Sequence, residues 1–259
     1  MSKVQIGAQM YSVRNHCQTA EDLRDTLKML KIMGYNICQL SGYNRAIAPE
    51  VVRDILEETQ MKCVCTHIGY NEMEEDLDKV IAMHKTIGCD YPGIGGLPME
   101  YRNPEGFVTF AKKASKIADK LADNGLHFIY HNHAFEFEKL WPVGKNGLEL
   151  LMENSSANFQ FELDVFWVQM GGGNPLDWIE KVRGRMDICH FKEMNGCREN
   201  KGVMAPIGMG NMNWKAIMDK CDDIGVKYAL IEQDNAVEQG SMDCMWTSYK
   251  NLVKLGGRF

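Results

Sequence analysis

Eight short apolar runs alternate along the chain with longer amphipathic segments, and this alternation most constrains the fold. The runs begin about 26 to 40 residues apart, so each gap has room for a loop and a helix. They occupy residues 4–9, 36–41, 62–67, 89–94, 127–132, 159–164, 187–192 and 227–232. A strand followed by a helix, repeated in this way, predicts a parallel β-sheet covered by helices.

The segments between the runs carry residues that commonly begin and end helices. Thr19 precedes one segment and Gly34 follows it, while Asn103 and Asn174 each precede a proline. A capping Thr or Asn, Pro in the first turn and Gly beyond the last turn are typical of helix boundaries. We therefore predict one closed (β/α)8 barrel, a TIM barrel, as a single domain over residues 1–259. The alternative is an open doubly wound sheet, but no G-x-G-x-x-G follows the first run.

Charge and composition exclude several classes of protein. The net charge is −6, from 29 Lys and Arg against 35 Asp and Glu, which argues against nucleic acid as a partner. No apolar run approaches the roughly 18 residues that a membrane span needs. The start of the chain enters an apolar run at once, without the pattern of a signal peptide, and none of the nine cysteines forms a C-x-x-C motif. We expect a cytoplasmic protein with reduced thiols.

Polar and ionisable side chains cluster at the carboxyl ends of the runs, where a parallel barrel places its active site. The imidazoles and carboxylates at these ends are His67, His131, His133, Asp164, His190 and Glu232. His190 and Lys192 are two residues apart on one strand and therefore face the same side. Converging carboxylates and imidazoles predict a divalent-metal site, with Mn²⁺ preferred and Zn²⁺, Co²⁺ or Mg²⁺ as alternatives.

The chain resembles the sugar phosphate isomerase/epimerase family, which are xylose-isomerase-like TIM barrels. The resemblance covers nearly the whole chain and rests on IGAQMYSVR (6–14), YHNHAFEFEKL (130–140), ELDVFWVQMGGGNPLDWIEKVRGRM (162–186), CHFKEM (189–194) and ALIEQD (229–234). Relatives include inosose dehydratase, hydroxypyruvate isomerase, the ketose 3-epimerases and, more distantly, an AP endonuclease. The family's metal site implies Asp164, His190 and Glu232 as ligands, together with a carboxylate from the fifth strand.

The fifth strand departs from this pattern, because His131-Asn132-His133 stands where many relatives carry Glu. The fourth ligand is then His131 itself, or Glu136 or Glu138 folding back over the barrel mouth. Glu136 is the preferred interpretation, since it leaves both histidines for proton transfer. An isolated loop carboxylate exposed to solvent is the alternative for Glu136.

The resemblance implies roles for further residues. His67 matches a position that contacts substrate or metal in some relatives, and Gln9, Gln39 and Trp167 are expected in the wall of the substrate site. Lys192 is expected to stabilise an enolate oxygen or to bind substrate, the alternative being a partner for a nearby carboxylate. Glu193 should point away from Lys192.

The expected activity is metal-dependent chemistry on a keto-sugar or keto-cyclitol through an enediolate. Isomerisation, epimerisation and β-elimination share this intermediate, and histidines in place of a glutamate favour elimination, as in the dehydratase relatives. The alternatives are a non-catalytic sugar-binding or partner subunit and, less favoured, a DNA-repair endonuclease of the same fold. The expected partners are a small sugar and, through the outer helices, further copies of the chain or a partner subunit.

Overall fold

The computed structural model describes residues 2–199 and 201–259, and its centre is a closed barrel of eight parallel strands. Each predicted run overlaps one of these strands, so the predicted (β/α)8 barrel is confirmed. The strands are β1 (Gln5–Gln9), β2 (Ile37–Leu40), β3 (Lys62–Ile68), β4 (Tyr91–Ile94), β5 (Phe128–His131), β6 (Phe159–Asp164), β7 (Ile188–Phe191) and β10 (Tyr228–Ile231). Around the barrel they follow the order β1-β10-β7-β6-β5-β4-β3-β2.

Helices cover the outside of the barrel. They are α1 (Ala20–Met33), α2 (Pro49–Thr59), α3 (Tyr70–Glu75), α4 (Leu77–Ile87), α5 (Pro104–Asp123), α6 (Gly147–Asn154), α7 (Val165–Met170), α8 (Pro175–Lys181), α9 (Trp214–Ile224), α10 (Ala236–Gln239) and α11 (Ser241–Lys254). The predicted caps are present: the Thr19 side chain accepts from the Asp22 backbone N–H, and Gly34 ends α1 with φ of 111°. Among the described residues, none of these helices is both long and apolar enough to cross a membrane.

The hydrophobic core has two parts. The larger part packs the outward face of the strands against the helices. The smaller part lies inside the barrel and is formed by Ile37, Val64, Cys65, Tyr91, Ile129, Ile188 and Leu230. Because side chains alternate along a strand, the next inward position toward the carboxyl end lies two residues further on. On five strands this position is polar: Gln39, His67, His131, His190 and Glu232. The barrel therefore has an apolar floor and a polar mouth.

An antiparallel hairpin that the sequence analysis did not predict follows β7. It consists of β8 (Glu193–Arg198) and β9 (Lys201–Ala205). At its base the buried Glu193 carboxylate accepts backbone hydrogen bonds from Gly208 at 2.8 Å and Met212 at 3.1 Å, and the Trp214 indole also donates to it. Glu193 thus turns away from Lys192, as predicted, and fixes the loop beside the barrel mouth.

Candidate metal and substrate site

Four side chains from neighbouring strands meet at the carboxyl end of the barrel. They are His131 at the end of β5, Asp164 at the end of β6, His190 in β7 and Glu232 after β10. One donor atom from each lies within 4.8 Å of the others, and all four residues are buried. We call this group the ligand cluster.

The distances within the ligand cluster are those of hydrogen-bonded neighbours. Nε2 of His131 is 3.3 Å from Oδ2 of Asp164, and Nδ1 of His190 is 3.0 Å from Oε2 of Glu232. Asp164 is oriented by α7, because its Oδ1 accepts from the backbone N–H groups of Phe166 and Trp167 at 2.9 and 3.2 Å. Its Oδ2 is thereby left facing the cluster.

The donor set fits a divalent transition metal. Two imidazoles and two carboxylates are ligands that Mn²⁺, Zn²⁺ and Co²⁺ accept, whereas Mg²⁺ prefers oxygen alone. Buried carboxylates are also costly unless a positive charge compensates them. The residues present therefore fit a divalent metal ion.

A buried glutamate lies directly beneath the ligand cluster. Glu162 is two residues before Asp164 on β6, so both side chains point into the barrel. Its Oε1 is 3.0 Å from Nε2 of His190, and its Oε2 is 2.5 Å from Nε2 of His67. Burial alone would raise the pKa of this carboxyl, but His190 and His67 beside it hold the pKa well below its usual range. Glu162 is thus ionised and pairs with the ring of His190, which belongs to the ligand cluster.

The His190 ring is held on both sides by acceptors. Besides Glu162, the Gln39 Oε1 is 2.5 Å from Nε2, and Glu232 faces Nδ1. Burial lowers the pKa of His190, but Glu162 and Glu232 together outweigh it and raise the pKa to about 10. A carboxylate behind a histidine that faces a metal site is a recurring arrangement that fixes the ring and its tautomer.

Lys192 supplies a positive charge beside the ligand cluster. Its Nζ is 2.9 Å from Glu232, 2.9 Å from Asp234 and 3.4 Å from Asp164. Burial would lower the pKa of this ammonium, but Glu232, Asp164 and Asp234 together raise it. Lys192 is therefore charged, and in the absence of substrate it pairs with these carboxylates.

An open cavity of about 450 Å³ lies above the cluster. Its wall includes Tyr11, Ser41, Arg45, His67, Ile68, Gly69, Gly95, His131, His133, Lys192, Glu232 and Asp234. This volume is within the range of about 300–1,000 Å³ that small-molecule sites occupy. A ligand in the cavity would contact the ligand cluster and Lys192 at once. We call it the mouth cavity.

Residues 27–243 match the sequence model of the xylose isomerase-like TIM barrel family. The chain belongs to this family. No curated protein is a significant match to it.

Several solved structures share the fold of this xylose isomerase-like barrel. One is a sugar phosphate isomerase/epimerase from Parabacteroides distasonis, with a TM-score of 0.82 and 20% identity, covering 97% of this chain and 98% of the other. A probable 3-DHS dehydratase from Bacillus anthracis has a TM-score of 0.73 and 14% identity, over 96% and 99% of the two chains. An L-ribulose 3-epimerase has a TM-score of 0.72 and 16% identity, over 98% and 94%.

In this xylose isomerase-like barrel Glu136 lies outside the ligand cluster, which corrects the preference for it as the fifth-strand ligand. It belongs to the single turn Phe135–Phe137, where Tyr130 donates to its Oε1 at 2.5 Å and the His133 backbone N–H to its Oε2 at 2.9 Å. Burial raises its pKa to about 8. Glu138 is exposed. The fifth-strand residue in the ligand cluster is instead His131, which strand alternation points into the barrel.

The two glutamines expected in the substrate wall are fully buried, and neither is among the residues that line the mouth cavity. Oε1 of Gln9 accepts from the Tyr11 backbone N–H at 2.7 Å. Gln39 bonds to His190, and its amide also donates to Glu162 at 3.2 Å. Gln39 therefore supports the ligand cluster from below rather than facing substrate.

Three expected site residues do surround the mouth cavity. His67 and His133 line it, and the Trp167 ring centroid is 5.2 Å both from the His133 ring and from Nζ of Lys192. Burial, followed by the charges of His131 and Lys192, lowers the pKa of His133 to about 3, so its ring is neutral. The residue that sequence analysis missed is Glu162, and the signal for it was its two-residue spacing from Asp164.

Proposed function

We propose that this chain is a divalent-metal-dependent enzyme that moves a proton next to the carbonyl of a keto-sugar or keto-cyclitol. The observation that carries the proposal is the buried ligand cluster at the floor of an open cavity. Mn²⁺ is the preferred ion, with Zn²⁺, Co²⁺ and Mg²⁺ as alternatives. When bound, such an ion would polarise the sugar carbonyl and make the adjacent C–H more acidic.

The chain's own residues would complete the chemistry. The Lys192 ammonium is placed to stabilise negative charge that develops on a substrate oxygen. His131 belongs to the ligand cluster, so of the two fifth-strand histidines only His133 is left to exchange a proton or a hydrogen bond with substrate. Glu162 would hold His190 in place beneath them.

The acid–base groups beside the mouth cavity differ in chemical type and charge, and this favours elimination or isomerisation over epimerisation. Epimerisation at one carbon needs a proton acceptor and a proton donor on opposite faces of the substrate. The neutral His133 imidazole and the Lys192 ammonium are unlike groups, and the ammonium suits stabilisation of an oxyanion instead. We therefore favour β-elimination, or aldose–ketose isomerisation, on a sugar or cyclitol.

The first experiment is metal analysis of the wild type and of Asp164→Asn. The asparagine keeps an oxygen for the backbone N–H groups of α7 but replaces Oδ2, the atom that faces the cluster, with a non-ligating NH₂. Asp90→Ala is the matched control, since Asp90 is an exposed residue next to the start of β4, at the opposite end of the barrel. We expect one metal ion per chain in the wild type and in Asp90→Ala, and less than stoichiometric metal in Asp164→Asn.

The metal-loaded wild type is then incubated with keto-sugars and keto-cyclitols in D₂O. Deuterium at the carbon next to the carbonyl, or an unsaturated product, supports the proposal, and Asp164→Asn should show neither. A wild type that takes up none of Mn²⁺, Zn²⁺, Co²⁺ or Mg²⁺ when they are added contradicts it. That outcome would favour the alternative of a non-catalytic sugar-binding subunit.

A further inference from the structure

A second cavity adjoins the mouth cavity. It has a volume of about 420 Å³ and lies between the loop after β3 and the loop after β4. Ile68, Gly69, Gly95 and His133 line both cavities. At Gly69 an added β-carbon would meet no heavy atom of the described residues within 4 Å, so the boundary is open there. We call this space the side cavity.

The side cavity has the surface of a ring-binding site. Tyr70, Leu97 and Pro98 contribute apolar surface, and Asn71 adds an amide. Arg102 is held as part of the wall, because its Nε and one terminal nitrogen donate to the Leu97 carbonyl at 3.0 and 2.9 Å. Its guanidinium carbon also lies 3.8 Å from the centroid of the Phe135 ring. Apolar surface with a few polar groups is typical of small-molecule sites.

His133 offers a polar atom at the junction of the two cavities. Its Nδ1 is buried and has no hydrogen-bond partner among residues 2–199 and 201–259. A β-carbon added to Gly96 would lie 3.2 Å from this nitrogen, so the atom faces a glycine that lines the side cavity. Because a buried polar atom without a partner is costly, a ligand hydroxyl there would satisfy it.

The two cationic side chains that line the mouth cavity, Arg45 and Lys192, are paired with carboxylates. Arg45 makes a two-point contact with Glu72 at 2.6 and 2.7 Å. Lys192 is surrounded by three carboxylates. A phosphate group in the mouth cavity would have to break one of these ion pairs, whereas an uncharged sugar ring would not.

We propose that the side cavity binds a second ring of the substrate, so that the enzyme acts on keto-sugars that carry a second ring, such as keto-glycosides. This inference rests on the proposed function, which places the first ring above the ligand cluster. The second ring would lie against Tyr70 and the Arg102–Phe135 stack, with a hydroxyl near Nδ1 of His133.

The test is calorimetric binding of defined glycosides to the Mn²⁺-loaded protein. The probes are unreactive analogues that lack the sugar carbonyl, namely the methyl and phenyl β-glycosides of glucose, galactose and mannose, together with glucose 6-phosphate. We expect at least one phenyl glycoside to bind about tenfold or more tightly than its methyl counterpart, because its second ring is buried. Asn71→Trp, which fills the side cavity, should bring that ratio close to one. Glu75→Trp is the matched control, since it adds the same ring to an exposed position on the same helix and should keep the ratio.

Several results would overturn the proposal. They are equal affinity for each methyl and phenyl pair, a ratio that Asn71→Trp leaves unchanged, tightest binding of glucose 6-phosphate, and no binding of any glycoside by protein that holds Mn²⁺. The metal titration on the same sample separates the two proposals. If the protein binds Mn²⁺ but shows no preference for phenyl glycosides, the role of the side cavity is contradicted and the proposed function still stands. If the protein does not bind metal at all, the proposed function itself is contradicted.

Discussion

Replacing Glu136 with glutamine should change how stability depends on pH without changing metal binding. Glu136 is fully buried, and burial raises its pKa from 4.5 to about 8. Between about pH 4.5 and pH 8, the folded protein therefore keeps a proton on this carboxyl, whereas the unfolded chain releases it. The free energy of unfolding contributed by Glu136 thus falls as the pH rises from about 4.5 to about 8, and is level above that.

The size of this change in unfolding free energy follows from the two pKa values of Glu136. Each tenfold change in a protonation constant corresponds to about 1.4 kcal/mol, so the difference between 4.5 and about 8 amounts to about 5 kcal/mol at most. Glutamine has no proton to lose, and it keeps an oxygen for the His133 backbone N–H and an NH₂ for the Tyr130 hydroxyl. Glu136→Gln should therefore equal the wild type near pH 4 and be more stable by about 2–5 kcal/mol near pH 8.5.

Urea denaturation of both proteins across this pH range measures the difference directly. Subtraction of the two curves removes the other titrating groups, which the variants share. Metal content should be the same in both, because Glu136 lies outside the ligand cluster. Parallel curves at every pH would refute the burial argument, and loss of metal in Glu136→Gln would restore this residue as a ligand.

Two further predictions concern the surroundings of the ligand cluster. Lys192→Met removes the ammonium between three carboxylates, so the metal-free protein should lose about 3–5 kcal/mol of unfolding free energy in urea melts. Its Mn²⁺ affinity, measured by calorimetry, should rise because a competing positive charge is gone, and a lower affinity would contradict this account. Glu162→Gln should weaken Mn²⁺ binding by about 10–100-fold, since the carboxylate orients His190. An unchanged dissociation constant would show that the His190 ring is held without it.

Local sequence signals located most of the barrel and the side chains at its mouth. Strand alternation has a period of two, so the residue at each strand end reveals which side chains face inward. This reasoning brings Asp164, His190 and Glu232 together, and it would also have identified Glu162 had the period been followed one step back. Gln9 and Gln39 were placed on the correct strands, but both are buried and neither lines the mouth cavity, because the exposure of a strand-end side chain depends on how the neighbouring strands and loops pack around it.

The loops escaped the sequence analysis for a different reason. Loops lack the period that makes a strand predictable, so their side chains are oriented by whichever partners the fold provides. Glu136 turns to Tyr130 and not to the barrel mouth, and the hairpin after β7 is held by Glu193. Neither of these contacts can be predicted from the spacing of residues along the sequence.

The order of strands and helices, the polar end of the barrel and three of the four residues in the ligand cluster can be predicted from the amino-acid sequence. Three features depend on how the folded chain packs: His131 is the fourth residue of the cluster, Glu162 lies beneath His190, and the side cavity joins the mouth cavity. Glu162 and His67 are 95 residues apart along the chain but 2.5 Å apart in space. Closure of the barrel creates that contact, and its distance depends on register and packing that no local pattern encodes.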